Sequence, residues 1–246
     1  MISIDLNCDM GEGMPNDAAI MPLISSANIA CGYHAGNDDI IKKTIELALQ
    51  HNVAIGAHPG FADKENFGRT EQKLSGKQYY SLVAEQLAII QKHVQYAGAT
   101  LHHVKPHGAL YNMSAKDAAL ANIIATAVKD HNSSLILYGL SNSYSITEAE
   151  KLGLRTASEV FADRTYTDEG KLTPRSEPNA LITSEKDSLQ QVLQMIQSQT
   201  ALSTNKKIIK VKADTICLHG DGEHAVAFAQ LIFKTLQANN IAIKAV

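Results

Sequence analysis

Seven apolar runs along the chain each end in a short cluster of polar, ionisable or glycine residues, and this recurrence narrows the folds open to it. The clearest are Ile4-Asp5-Leu6-Asn7-Cys8-Asp9-Met10-Gly11-Glu12, Asn28-Ile29-Ala30-Cys31-Gly32-Tyr33-His34 and Ala54-Ile55-Gly56-Ala57-His58-Pro59-Gly60. Val104-Lys105-Pro106-His107-Gly108, Val160-Phe161-Ala162-Asp163-Arg164 and Ile216-Cys217-Leu218-His219-Gly220-Asp221 repeat the form, and Leu135-Ile136-Leu137-Tyr138-Gly139 repeats it without charge. A strand that runs into a reactive tip, again and again, is the pattern of an α/β enzyme whose site gathers at the carboxyl ends of parallel strands.

The runs at 2–6, 28–31, 53–57, 101–104, 135–138, 158–161 and 215–218 are short and apolar and do not alternate strictly, as expected of parallel strands buried on both faces. Helical periodicity fills most of the gaps, with helices expected from Asp38 or Asp39 to Gln50, from Ser75 to near Gly98, and over 115–130, 143–151, 185–199 and 223–238. Lys206–Lys212 is expected as an extra strand, and Ile241–Val246 as a final strand or a docking tail. The polar stretch 165–184, with Gly170, Pro174 and Pro178, is expected as a loop over the site. Strand–helix alternation with room for right-handed crossovers points to one parallel β/α domain over 1–246.

A chain of 246 residues with 45% hydrophobic side chains can bury a large core. Its formal net charge of −3 offers no concentrated cationic surface, which argues against nucleic acid and anionic membranes as partners. No apolar run is long enough to span a bilayer, and the first residues show no basic segment followed by an apolar one. Three cysteines, without a Cys-x-x-Cys pair, fit reduced thiols and a cytoplasmic location.

Alternation places Asp5, Asn7 and Asp9 on one side of the first strand, with Asp9 and Glu12 at the mouth, where a carboxylate can activate water or hold a cation. His34, His58, His107 and His219 also stand at strand ends. Such imidazoles, with Asp9, suit a divalent metal bound by Asp9, His34 and His58, and equally suit metal-free proton transfer or oxyanion donation. Lys105 and Arg164 are cations fit for a carboxylate or phosphate, unless each pairs with Asp163. Arg69 is a further anion candidate on a longer loop, and Arg175 another. Gly220-Asp221-Gly222 before a helix offers backbone N–H groups to an anion. Neither a Gly-x4-Gly-Lys-Ser/Thr loop nor a Gly-x-Gly-x-x-Gly fingerprint is present, so standard P-loop or Rossmann nucleotide binding is not expected.

The strings Asp5–Glu12, Ser26–Gly36, Gly56–Gly60, Asn66–Arg69, Val104–Asn112, Phe161–Arg164 with Tyr166, Gly170, Leu172 and Arg175, and Cys217–Asp221 resemble the LamB/YcsF family in the same order. The resemblance implies a seven-stranded parallel β/α barrel of the glycoside hydrolase/deacetylase type. It also implies the A component of a bacterial ATP-dependent 5-oxoprolinase, which converts 5-oxo-L-proline to L-glutamate with ATP and with subunits B and C. On that basis Lys105 and Arg164 bind anions, joined by Asn7, Arg69, Gly220 and Asp221. Asp9 or Glu12 activates water, and His107 and His219, with Asp163 nearby, move protons. Gly36-Asn37-Asp38 stands where the family pattern has Gly-Asp-Pro, and Arg69-Thr70 where it has Arg-Arg, which removes an acid at 37 and one anion contact. The rivals are a metal-dependent deacetylase or amidohydrolase on the same barrel, and a non-catalytic component that delivers substrate.

Overall fold

The computed structural model describes residues 2–218, 220 and 224–246. Seven parallel strands close on one another: β1 (Ser3–Met10), β2 (Ser26–Ala30), β3 (Ala54–His58), β4 (Leu101–Val104), β5 (Ile136–Leu140), β6 (Arg155–Phe161) and, after a detour, β9 (Thr215–Leu218). The closure is visible in β1, where Cys8 pairs with Ala27 of β2 on one side and Leu218 of β9 on the other. The detour carries an antiparallel hairpin of β7 (Thr200–Leu202) and β8 (Ile208–Lys210). The extra strand expected at 206–212 therefore pairs with its neighbour in sequence and stays out of the barrel. The tail strand β10 (Ala242–Ile243) adds in parallel to Ser3 and Ile4, at the opposite end from the tips.

Period-two alternation divides the side chains of β1 between two environments. Ile4, Leu6, Cys8 and Met10 are buried in the shell between barrel and helices, whereas Asp5, Asn7 and Asp9 turn into the lumen and meet side chains of other strands. The strand runs to Met10, four residues past its expected end, because its polar residues face the lumen and hydrogen-bond there. In the lumen below the mouth, Ile136, Tyr138 and Ala157 form a small apolar layer. Gly56 of β3 serves the same space: a Cβ there would lie 2.1 Å from Nε2 of His103, whose ring stacks on Tyr138 at 4.2 Å.

The surrounding helices are α1 (Asp17–Ile20), α2 (Asp38–Gln50), α3 (Gly76–Tyr96), α4 (Gly108–Lys116), α5 (Ala118–His131), α6 (Tyr144–Lys151), α7 (Glu185–Ser198) and α8 (Ala225–Ala238). Their starts follow from side-chain caps. Asn37, one residue before the expected aspartates, accepts the Ile40 N–H and opens α2, and Ser75 with Gln78 forms a capping box on α3. The single helix expected over 115–130 divides at Asp117, whose extended backbone ends α4 and whose carboxylate accepts the N–H groups of Ala119 and Leu120 to begin α5. Among the described residues no helix is long and apolar enough to cross a membrane.

Candidate active site

At the carboxyl ends of the strands a cavity of about 440 Å³ is lined by Asp9, Glu12, His58, Lys105 and His107 at its polar end. Tyr111, Leu140 and Phe161 line it alongside, and Arg69, Arg164, Arg175 and Gly220 are also in its wall. Residues 169–175 of the long loop, within the stretch 165–184, also line it. That loop is tied by Arg164, which is buried and donates to the carbonyls of Ala180 (3.3 Å) and Thr173 (2.6 Å).

The floor of the cavity is a connected polar network. Lys105 Nζ lies 3.0 Å from Asp9 Oδ1, 2.8 Å from Glu159 Oε1, 3.1 Å from Asn7 Oδ1 and 3.2 Å from Cys217 Sγ. Its partners are thus Asp9 and Glu159, where Asp163 had been the obvious candidate. The two carboxylates more than offset the penalty of burial, so the ammonium holds its proton well above the ordinary lysine range. Asn7 donates to Glu159 and Thr215 and accepts from Asn28 and Lys105, so its part is to hold the floor together from beneath. Asn28 in turn donates to Asp9 Oδ1 and accepts from His103 Nε2. Deeper still, Asp5 accepts from Ser25, Ser26 and Thr215.

Above this floor three imidazoles surround a carboxylate. Glu12 Oε1 lies 3.2 Å from His34 Nε2, 3.3 Å from His107 Nδ1 and 3.8 Å from His58 Nε2. His58 Nε2 is also 3.2 Å from Asp9 Oδ2. Burial and the neighbouring imidazoles press both His34 and His107 down to about 3, so these rings are neutral at pH 7. Burial works against ionised Asp9, yet His58 and Lys105 prevail and hold it well below the usual carboxylate range. Glu12 goes the other way: burial, then the charge of Asp9, raise it. Two carboxylates side by side with opposed shifts form a pair suited to acid–base work. Burial raises the thiols of Cys8, Cys31 and Cys217, which leaves them unsuited as nucleophiles.

The fold therefore brings Asn7, Asp9, Glu12, His34, His58, Lys105 and His107 to one end of the barrel, with Arg69, Arg164 and Gly220 in the wall of the same cavity. Asp163 precedes Arg164, and its backbone carbonyl receives the Ile182 N–H at the base of the loop. His219 and Asp221 lie outside the described residues. Glu159 and His103 belong to the network although no tip motif includes them, and so does Asn28, which opens its run and was not singled out as a site residue. In β6 the available signal was alternation, since Glu159 shares a face with Ala157 and Phe161. Glu12, His34, His58 and His107 each offer a ligand atom within 4.8 Å of the others, a set that can hold a divalent metal.

A closed parallel barrel of this kind is a fold also found in carbohydrate deacetylases. A family 4 carbohydrate esterase from Streptomyces lividans superposes with a TM-score of 0.53 over 98% of this chain and 91% of its own, at 12% identity, a likeness of fold alone. The chain itself belongs to the LamB/YcsF family, whose pattern matches residues 4–246. It is 50% identical to the 5-oxoprolinase A-subunit of Tolumonas auensis over 100% of both chains. It is likewise 50% identical to that of Brevibacillus brevis, over 100% of this chain and 98% of the relative. A crystal structure of a lactam utilization protein from Thermus thermophilus matches with a TM-score of 0.93 at 37% identity, over 100% of both chains.

Proposed function

We propose that this chain is the A-subunit of an ATP-dependent 5-oxoprolinase, opening the lactam of 5-oxo-L-proline to L-glutamate in the cytoplasm with partner subunits of the B and C type. The observation that carries this is 50% identity, end to end, with a relative named as the 5-oxoprolinase A-subunit. The cavity supports it by joining cations, a carboxylate held well below its ordinary range and one raised above it in one ligand-sized space.

The lactam is a resonance-stabilised amide, so coupling to ATP is needed to drive its opening. Transfer of the γ-phosphoryl group to the lactam oxygen gives a phosphorylated imidate and ADP. Water adds to the ring carbon, the C–N bond breaks as nitrogen takes a proton, and the resulting acyl phosphate is hydrolysed by a second water. One lactam, one ATP and two waters thus become glutamate, ADP and phosphate. The steps require a base for water, an acid for nitrogen and positive groups for developing anionic charge.

Glu12, with its raised carboxyl, is the better proton acceptor and donor of the pair, because a strongly depressed carboxylate is a weak base. Asp9 stays ionised, is fixed through Oδ1 by Lys105 and Asn28, and orients water or the ring N–H through Oδ2. His107, with His219, relays protons. Arg69, Arg164 and Arg175 face the substrate carboxylate and the phosphoryl group, with Gly220 in the same wall, and Asp221 is assigned to the same anion from its sequence position alone. ATP is bound jointly with the partner subunits. The test is glutamate formation from 5-oxo-L-proline by the co-expressed complex. Glutamate must appear only with ATP and all subunits present; a complex that cleaves other amides but leaves 5-oxo-L-proline intact refutes the assignment.

A further inference from the structure

Two ring nitrogens face each other at the mouth, and the bonds on the far side of each ring decide which of them carries a proton. His58 Nδ1 lies 2.7 Å from the Lys105 carbonyl, and a carbonyl oxygen only accepts, so Nδ1 carries a hydrogen and Nε2, 3.2 Å from Asp9 Oδ2, is the atom left to take a proton or a metal ion. His107 Nε2 lies 2.9 Å from the Phe67 carbonyl, so by the same logic its lone pair is on Nδ1. His58 Nε2 and His107 Nδ1 are only 2.9 Å apart, on rings inclined at 83°. Both residues are buried, and the carboxylate oxygen of Glu12 completes a triangle 3.3 and 3.8 Å from them. Two bare lone pairs at that distance repel each other, and either a proton or a metal ion in front of them removes the repulsion; the oxygen of Glu12 converging on the same point favours the metal ion.

We propose that His58 Nε2, His107 Nδ1 and Glu12 Oε1 bind one first-row transition-metal dication at the mouth of the barrel; in the metal-bound chain Glu12 and His107 act as ligands in place of the proton-transfer parts they take in the metal-free one. Neighbouring ligand atoms on bonds near 2.1 Å stand about 3.0–3.4 Å apart in octahedral or tetrahedral coordination, which the observed edges bracket. Backbone carbonyls that fix the tautomer and aim of each imidazole are the usual outer support of metal-binding histidines. Two imidazoles and one carboxylate favour zinc, iron, cobalt, nickel or manganese over calcium or magnesium, which take oxygen ligands.

His34 has a different part. Its ring lies parallel to His107, 3.8 Å away at 3°, so its in-plane lone pair does not converge on the point in front of His107. Its Nε2 instead meets Glu12 at 3.2 Å and holds the carboxylate in place. Room for this stack depends on Gly60 and Gly68, where an added Cβ would lie 2.8 Å from the His34 ring nitrogen and from its Cβ, respectively. The set thus shares His58 with the Asp9, His34 and His58 expected from the sequence, and replaces the other two.

The test needs no turnover. The full chain, stripped with chelator, is titrated with cobalt(II) and followed by visible absorbance and calorimetry, with thermal midpoints recorded for every variant. One cobalt per chain is expected, lost in His58→Ala and in His107→Ala. His34→Phe, which keeps the stack, should retain the stoichiometry and weaken affinity about 10–100-fold. Absence of saturable cobalt uptake by the wild-type chain, or uptake unchanged in both alanine variants, overturns the proposal. So does ¹⁵N NMR showing a proton shared between the two rings in a chain that takes up no metal. Should the alanine variants fail to fold, crystals of the wild-type chain soaked in zinc decide. Anomalous density must fall within the Glu12–His58–His107 triangle, and its absence there counts against the site.

Discussion

At the scale of single residues, the side chain on which the site depends most is Lys105. It is 3% exposed and stands between Asp9, which is partly exposed to the cavity, and Glu159, which is fully buried, so its charge balances two carboxylates with limited access to water. Replacing it with methionine leaves both acids uncompensated and should cost about 3–5 kcal/mol in urea unfolding. Adding Glu159→Gln to Lys105→Met should recover much of that loss; a double variant no more stable than the single one contradicts the pairing. His103 supplies a pH signature away from the mouth. Burial holds its imidazole well below the ordinary 6.5, with His102 and Lys105 adding to the effect. Below about pH 6.5 the unfolded chain therefore takes up a proton that the folded chain refuses. The stability contributed by neutral His103 is complete above that pH and is lost as pH falls beneath it. Its slope is about 1.4 kcal/mol per pH unit. His103→Gln should reduce the acid-side slope of unfolding free energy by that amount, and an unchanged slope would remove His103 from the titration.

At the scale of elements, Arg164 shows how the loop along the cavity is secured. Its guanidinium commits hydrogen bonds to the Thr173 and Ala180 carbonyls, while Thr173 and Ile182 donate backbone N–H groups to Thr165 and Asp163. Arg164→Met should raise the exchange rate of the Thr173 and Ile182 amides by about ten-fold or more, since charged hydrogen bonds contribute about 1.5–3 kcal/mol. Exchange at the wild-type rate would show that the loop is held by other means. The strands themselves were legible in the sequence because burial on both faces writes each as an apolar run, and β4 and β9 fall on the expected residues. The upper half of β1 was not, because Asn7 and Asp9 look like loop residues unless the lumen is known to be polar. The break at Asp117 escaped for a related reason: an aspartate that caps a new helix reads much like one on the exposed face of a continuous one.

For the whole molecule, the legible part was the convergence of remote tips, and the illegible part was how they share their bonds. Asp9, Glu12, His58, Lys105 and His107 come together because parallel strands all present their carboxyl ends to one side. Which carboxylate Lys105 would choose depended on Glu159, a residue inside β6 whose alternation with Ala157 and Phe161 marks its face but not its partner. The opposed shifts of Asp9 and Glu12 likewise arise in the assembled site, Glu12 raised by burial and by Asp9, and Asp9 lowered by His58 and Lys105 of other strand ends, and no local pattern encodes them. Lactam opening at this mouth is tested most directly by Asp9→Asn in the assembled complex, measured as glutamate released from 5-oxo-L-proline with ATP. The rate should fall by about 10²-fold or more while circular dichroism and complex assembly are preserved. A folded, assembled variant turning over near the wild-type rate would place the chemistry elsewhere.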